Sequence, residues 1–150
     1  MSQQGIRWHH ASLTVAEIDP AIAFFGAVFG FEPIFLERGL ADDIAALTGT
    51  PGLSADFTQM RSDAYPLILE LIAFHAEDGT PPAGDDIPWR PGAGHVAFHV
   101  DDFDGTVAAV LAHGGKALGR AIEFPGGRSI YCRIPGGAFI EVEHLHEANA

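Results

Sequence analysis

The chain repeats itself. Shifted by 85 positions, His10-Ala11-Ser12-Leu13-Thr14-Val15 lies over His95-Val96-Ala97-Phe98-His99-Val100. Both stretches read His, then apolar residues at the second, fourth and sixth places. The register continues without a gap: Glu17 meets Asp102, Ile18 meets Phe103, Asp19 meets Asp104 and Gly30 meets Gly115. Self-similarity of this kind constrains a fold before any single segment does. The chain has 150 residues, 47% of them hydrophobic and 19% charged, so the two copies fit one globular domain spanning 1–150.

Each copy opens with a strand and a helix. Ala11, Leu13 and Val15 alternate with His10, Ser12 and Thr14, and Val96, Phe98 and Val100 alternate with His95, Ala97 and His99. Asp19 is the expected cap of the first helix, with Pro20 at its first position and Gly30 as its stop. Asp102 or Asp104 is the expected cap of the second, which stops at Gly114-Gly115. Further strands are expected near 33–38, 54–61 and 66–74, and near 117–123, 128–134 and 137–144. Each half then reads strand, helix, strand, strand, strand. Module one covers about 6–75, a linker rich in Pro, Gly and Asp about 76–93, and module two about 94–146.

A second match appears at an offset of 71, where Leu69-Glu70-Leu71 corresponds to Ile140-Glu141-Val142. The first half is therefore the longer one, by 14 residues between Leu40 and Leu53. Asp42 to Leu47 reads there as a short helix and Thr48 to Gly52 as a turn-rich loop. An insertion over 42–53 is a natural lid.

His10, Glu70, His95 and Glu141 thus occupy equivalent places in the two halves. A single His in a strand is commonly a packed residue, and a strand Glu commonly faces solvent. Here all four recur at matching positions of a repeat. If a pseudo-twofold relates the halves, the four side chains can converge on one divalent ion: Zn, Ni, Co, Mn or Fe. Four protein ligands in an octahedral shell leave two positions for substrate or water.

Charge excludes other partners. Eight Lys and Arg against twenty Asp and Glu give a formal charge of −12. Such a surface repels nucleic acid and anionic membranes. Cys132 has no partner for an internal disulfide, no apolar run approaches the roughly 20 residues of a membrane span, and Met1 to Gly5 does not read as the start of a secretory signal. The expected location is a reducing cytoplasm.

The ordered set of motifs resembles the vicinal oxygen chelate superfamily, also called the glyoxalase/bleomycin resistance/dioxygenase family. That family opens each module with His-x-x-φ-x-Val and an acidic residue, as in His10 to Val15 with Glu17 and His95 to Val100 with Asp102. Its last strand carries Gly-x-x-φ-Glu-φ, as in Gly137 to Val142, and Gly127 to Tyr131 resembles the strand before it. The family's Asp-Pro-Asp-Gly turn is replaced by Ile134-Pro135-Gly136-Gly137. The resemblance implies an α+β fold of two βαβββ modules in tandem, with curved mixed sheets forming a cup around a metal held by His10, Glu70, His95 and Glu141. It also implies a homodimer.

Family members with four ligands are glyoxalases and epimerases; extradiol dioxygenases leave the Glu70 position without a ligand. The presence of Glu70 points to an isomerase, epimerase or lyase moving a proton on a small substrate that chelates the metal through neighbouring oxygens. Glu70 and Glu141 are the candidate bases by analogy, and His99, sharing a face with His95, is a candidate proton shuttle. The alternatives are an Fe(II)-dependent extradiol-type dioxygenase and a metal-free small-molecule binding or resistance protein. Glu143 reads as a rim residue, His9 as structural and His144 and His146 as solvated. Arg38 and Arg128 are candidates for an anionic substrate, Tyr131 for a substrate contact, and Phe57 and Met60 for a pocket wall or core.

Overall fold

The structure, a computed structural model, describes residues 7–79 and 87–146. The reading of Met1 to Gly5 and the middle of the expected linker, 80–86, lie outside the described residues. Module one runs β1 (His10–Thr14), α1 (Ile18–Phe29), β2 (Glu32–Leu40), α2 (Asp42–Thr48), β3 (Ser54–Ser62) and β4 (Tyr65–His75). Module two runs β5 (His95–His99), α3 (Phe103–Ala112), β6 (Lys116–Ala117), β7 (Ile122–Phe124), β8 (Gly127–Arg133) and β9 (Phe139–Leu145). The fold is mixed α+β, with two open sheets. The first has the order β1-β4-β3-β2; the second has β5-β9-β8-β6, with β7 also pairing β8. The first strand of each module pairs in parallel with its last, and the other pairs are antiparallel.

Two local expectations need correction. Helix α1 starts at Ile18, with Glu17 at the cap position and making no side-chain cap, so Asp19 lies inside the first turn. There it pairs with Arg38, whose Nη2 sits 2.6 Å from its carboxylate. Gly30 does end the helix, at φ 69°, a left-handed conformation that glycine adopts without steric cost. In module two, the strand expected near 117–123 is two short pieces. Residues 118–121 leave the ladder between β6 and β7, and the Leu118 amide keeps a bond to the Tyr131 carbonyl.

One core serves both modules. Leu13, Val15, Leu69 and Leu71 from the first sheet are buried in the same cluster as Phe98, Val100, Ile140 and Val142 from the second. Helices α1 and α3 pack on each other and on these strand faces. Phe98 is the bridge. Its ring stacks on Phe29 of α1 at 4.2 Å between centroids and meets Tyr65 of β4 edge-on at 5.5 Å. A backbone bond from the Ala16 amide to the Gly136 carbonyl (3.1 Å) also ties the end of β1 to the turn before β9. In the 42–53 segment, α2 packs against β3 with Ile44 buried and Leu47 exposed.

Strand alternation fixes what lies on the other side. Where Leu13, Leu69, Leu71, Phe98, Ile140 and Val142 enter the core, His10, Glu70, His95 and Glu141 stand on the opposite faces of the sheets.

Candidate functional site

On the open face of the first sheet, Ser12, Glu70 and Gln59 form one row across β1, β4 and β3. Ser12 Oγ donates to Glu70 Oε1 at 3.0 Å, and Gln59 Nε2 donates to Oε2 at 3.3 Å. His10, one residue pair away, brings its Nε2 to 3.5 Å from the same Oε2. Its Nδ1 lies 2.7 Å from Nδ1 of His9. His9 is therefore the neighbour that orients His10. Strand alternation does not separate the two rings, because β1 begins at His10 and does not bind the residue before it. Phe35 and Phe57 meet edge-on beside the Gln59–Glu70 row, at 5.2 Å between centroids. Phe57 thus belongs to the open face, while Met60 is fully buried in the core.

The second sheet repeats the pair in different company. His95 Nε2 lies 3.1 Å from Glu141 Oε2, and the Ser129 hydroxyl donates to Glu141 Oε1. The row through Glu141 holds Ala97 and Tyr131. The Tyr131 ring packs 4.7 Å from the His95 ring. Glu143 pairs across the next row with His99 and Ser129. His99 accepts the Leu145 backbone N–H on Nδ1 at 3.1 Å. In its neutral form the ring therefore carries its proton on Nε2. His144, expected in solvent, is instead half-buried: its Nδ1 lies 2.7 Å from the Val100 carbonyl and its ring stacks on His99.

The donor chemistry suits a divalent metal ion. Each pair offers an imidazole nitrogen and a carboxylate oxygen, and each carboxylate is held from behind by neutral donors, as metal-binding carboxylates characteristically are. Yet the two pairs stay apart: among the described residues, no group of three or more His, Cys, Asp or Glu side chains is placed to hold a metal. One chain brings the four candidates together two by two.

Other candidates are engaged elsewhere. Arg38 bridges Asp19 and Asp56, with His75 3.5 Å from Asp56, in a cleft beside the start of α1 that contains none of the four residues. Arg128 is shared by Asp104 and Glu123. Cys132 is buried, and burial pushes its thiol pKa up, away from the thiolate a metal would take. Burial, with Asp101 nearby, also raises the pKa of Tyr65.

The sequence profile of the glyoxalase/bleomycin resistance protein/dioxygenase superfamily matches residues 9–132. The chain belongs to that superfamily. A 2-epi-5-epi-valiolone epimerase from an Actinomyces species is 30% identical over 148 residues, covering 91% of this chain and 78% of the epimerase. Among solved structures, a glyoxalase family protein from Bacillus cereus superposes with a TM-score of 0.78 at 23% identity, over 97% of this chain and 98% of that one. The fosfomycin resistance protein FosX of Listeria monocytogenes, solved with Mn(II) and sulfate, superposes with a TM-score of 0.60 at 14% identity, covering 95% of each chain. These structures share the glyoxalase fold. No helix among the described residues is long and apolar enough to cross a membrane.

Proposed function

We propose that this superfamily member is a metal-dependent epimerase, isomerase or lyase. Its substrate is a small molecule presenting neighbouring oxygens, and the working site joins two copies of the chain: His10 and Glu70 of one protomer with His95 and Glu141 of its partner. The observation that carries this reading is the repeated His–Glu pair. It stands at the same place in each module, on a sheet face turned from the shared core, with each carboxylate held by neutral donors. A bound divalent ion supplies Lewis acidity toward the substrate's oxygens. The protein's own part is proton transfer. A carboxylate at Glu70 or Glu141 takes the proton from the carbon next to a carbonyl and returns it, to the same face or the other. With Nδ1 of His99 taken by the Leu145 amide, Nε2 is the ring nitrogen left to hydrogen-bond a substrate oxygen. The similarity to an epimerase supports this reaction class over ring cleavage.

Metal analysis with mixed chains tests the reading. Wild-type protein is expected to hold one divalent ion per chain, and Glu70→Ala and Glu141→Ala are each expected to lose it. Co-expressing the two variants should return an intact site to every mixed dimer, because one chain keeps its first pair and the other keeps its second. If mixing restores nothing while the wild type binds metal, the site lies within one chain. Metal kept by Glu70→Ala, with oxygen uptake on catechols, would favour the dioxygenase. Ligand binding indifferent to chelators would favour the binding protein.

A further inference from the structure

On the open face of the second sheet, the row next to that of Glu141 is His99–Glu143–Ser129. Two residues along a strand span about 7 Å, so the two rows stand that far apart. His99 is held in place there. Its Nδ1 accepts the Leu145 amide at 3.1 Å, and its ring stacks on His144, whose own Nδ1 lies 2.7 Å from the Val100 carbonyl. A neutral His99 therefore offers the open face one thing, an N–H donor at Nε2. Glu143 beside it is half-buried, yet neither cross-strand neighbour serves it. Ser129 turns its hydroxyl to Glu141, and Nδ1 of His99 is taken by the backbone. Among the described residues, Glu143 makes no side-chain hydrogen bond or ion pair. A carboxylate drawn partly out of water needs donors to replace it. Module one differs at this row, where Thr14, Ile72 and Phe57 stand in a line that carries no charge.

We infer, building on the metal-centre reading above, that His99 and Glu143 receive an uncharged hydroxyl group of the substrate, outside its two chelating oxygens. The substrate class is then a carbonyl compound with at least one hydroxyl beyond the chelate. Nε2 of His99 needs an acceptor and the Glu143 carboxylate needs a donor; a hydroxyl is both at once. A carboxylate or phosphate would accept from His99 but meet the charge of Glu143, in a chain of formal charge −12. A protonated amine would suit Glu143 but set a second donor against His99. A hydrocarbon would leave both groups unpaired and dry. In the joined site, Ile72 and Phe57 of the other module offer an apolar row to the C–H side of such a molecule.

Three hydroxamates test this on Mn(II)-loaded protein by calorimetry. Acetohydroxamic acid offers the chelating end alone. Glycolohydroxamic acid adds a hydroxyl on the next carbon, and the monohydroxamate of malonic acid puts a carboxylate there. Wild type is expected to bind the hydroxyl probe most tightly and the acidic probe least. Glu143→Ala should weaken the hydroxyl probe about 10-fold to 100-fold, the range for a lost hydrogen bond to a charged group, and leave acetohydroxamic acid and bound Mn(II) unchanged. His99→Ala should weaken the same probe about 3-fold to 10-fold, and His99→Gln, whose amide also donates, should recover part of that. Glu143→Gln should strengthen the acidic probe, because the opposing charge is gone. If Glu143→Ala binds the hydroxyl probe as wild type does, weakens it and acetohydroxamic acid alike, or sheds its Mn(II), the inference is overturned while the wild-type metal centre stands. Tightest wild-type binding of the acidic probe overturns it too. If wild type takes up no Mn(II), the metal reading fails first, and the hydroxyl subsite, defined by its distance from the chelate, falls with it.

Discussion

The two modules hold the same His–Glu pair by different means. Glu70 is flanked in its row by Ser12 and Gln59, and each donates to a different carboxylate oxygen. Glu141 is flanked by Ala97, which has nothing to donate, and by Tyr131, whose ring goes to His95; its neutral donor comes from Ser129 on the diagonal. The histidines differ too, one oriented by a second imidazole and the other by a phenol ring. The repeat therefore fixes the places of the two His–Glu pairs and leaves their supports free to differ. A carboxylate with two neutral donors is held at both oxygens, whereas one with a single neutral donor turns more easily about its Cγ–Cδ bond.

The core shows the largest imbalance. Phe98 and Leu13 are equivalent in the repeat, but Phe98 reaches into the aromatic cluster of the other module. Phe98→Ala should cost about 3–5 kcal/mol, the usual range for emptying a buried aromatic site. Phe98→Leu, which makes module two match module one, should cost clearly less. Urea denaturation measures both. A negligible loss in Phe98→Leu would mean that the aromatic contacts between modules add nothing beyond filled volume, and equal losses would mean that they carry the whole effect.

The supports of the two carboxylates are the next test. Removing a donor behind a metal ligand typically lowers metal affinity 10-fold to 100-fold. Ser129→Ala should fall in that range, because among the described residues Ser129 is the neutral side chain that donates to Glu141. Ser12→Ala and Gln59→Leu should each do less, since either leaves the other in place, and the double variant should approach Ser129→Ala. Competition with a metallochromic indicator reads all four. If Ser12→Ala alone matches Ser129→Ala, the two-donor clamp on Glu70 is not a reserve.

How far the sequence carried these points depends on what each rests on. The matching places of His10, Glu70, His95 and Glu141 and the faces of β1, β4, β5 and β9 follow from alternation within the repeat, a short-range pattern; the parallel pairing of first and last strands does not. The supports do not. Ser129 reaches Glu141, and Gln59 reaches Glu70, only through strand register, which depends on turn lengths and on bulges such as that between Met60 and Ser62. The contact of the Arg133 guanidinium with the Phe139 ring was silent for the same reason, since strand register alone brings them together. His144 looked like part of a polar tail, yet β9 extends through Leu145 and carries it against Val100. The relation between the modules was the least legible. Alternation says that His10, Glu70, His95 and Glu141 leave the core, but whether the four meet within a chain depends on the packing of α1 and α3, which the repeat does not encode.

The smallest expected difference lies at the helix starts, where Glu17 and Asp102 are equivalent. Asp102 caps α3 by accepting the Gly105 amide at 2.9 Å, and a Cβ on residue 105 would come within 2.1 Å of that carboxylate, so Gly105 is what lets the cap close. Glu17 makes no such bond at α1; its side chain is one methylene longer, and the first turn carries Asp19 and Pro20 in place of Asp104 and Gly105. Asp102→Ala should therefore cost about 1 kcal/mol, the ordinary worth of an N-cap, and Glu17→Ala much less. Thermal unfolding of the two variants checks the pair. Gly105→Ala is the sharper form of the same question: it leaves the cap residue in place and removes its room. If Asp102 stabilises α3 through that hydrogen bond, Gly105→Ala should lose at least as much as Asp102→Ala, despite the better intrinsic helix propensity of alanine. A gain in stability would mean that the cap contributes less than the flexibility of the glycine costs.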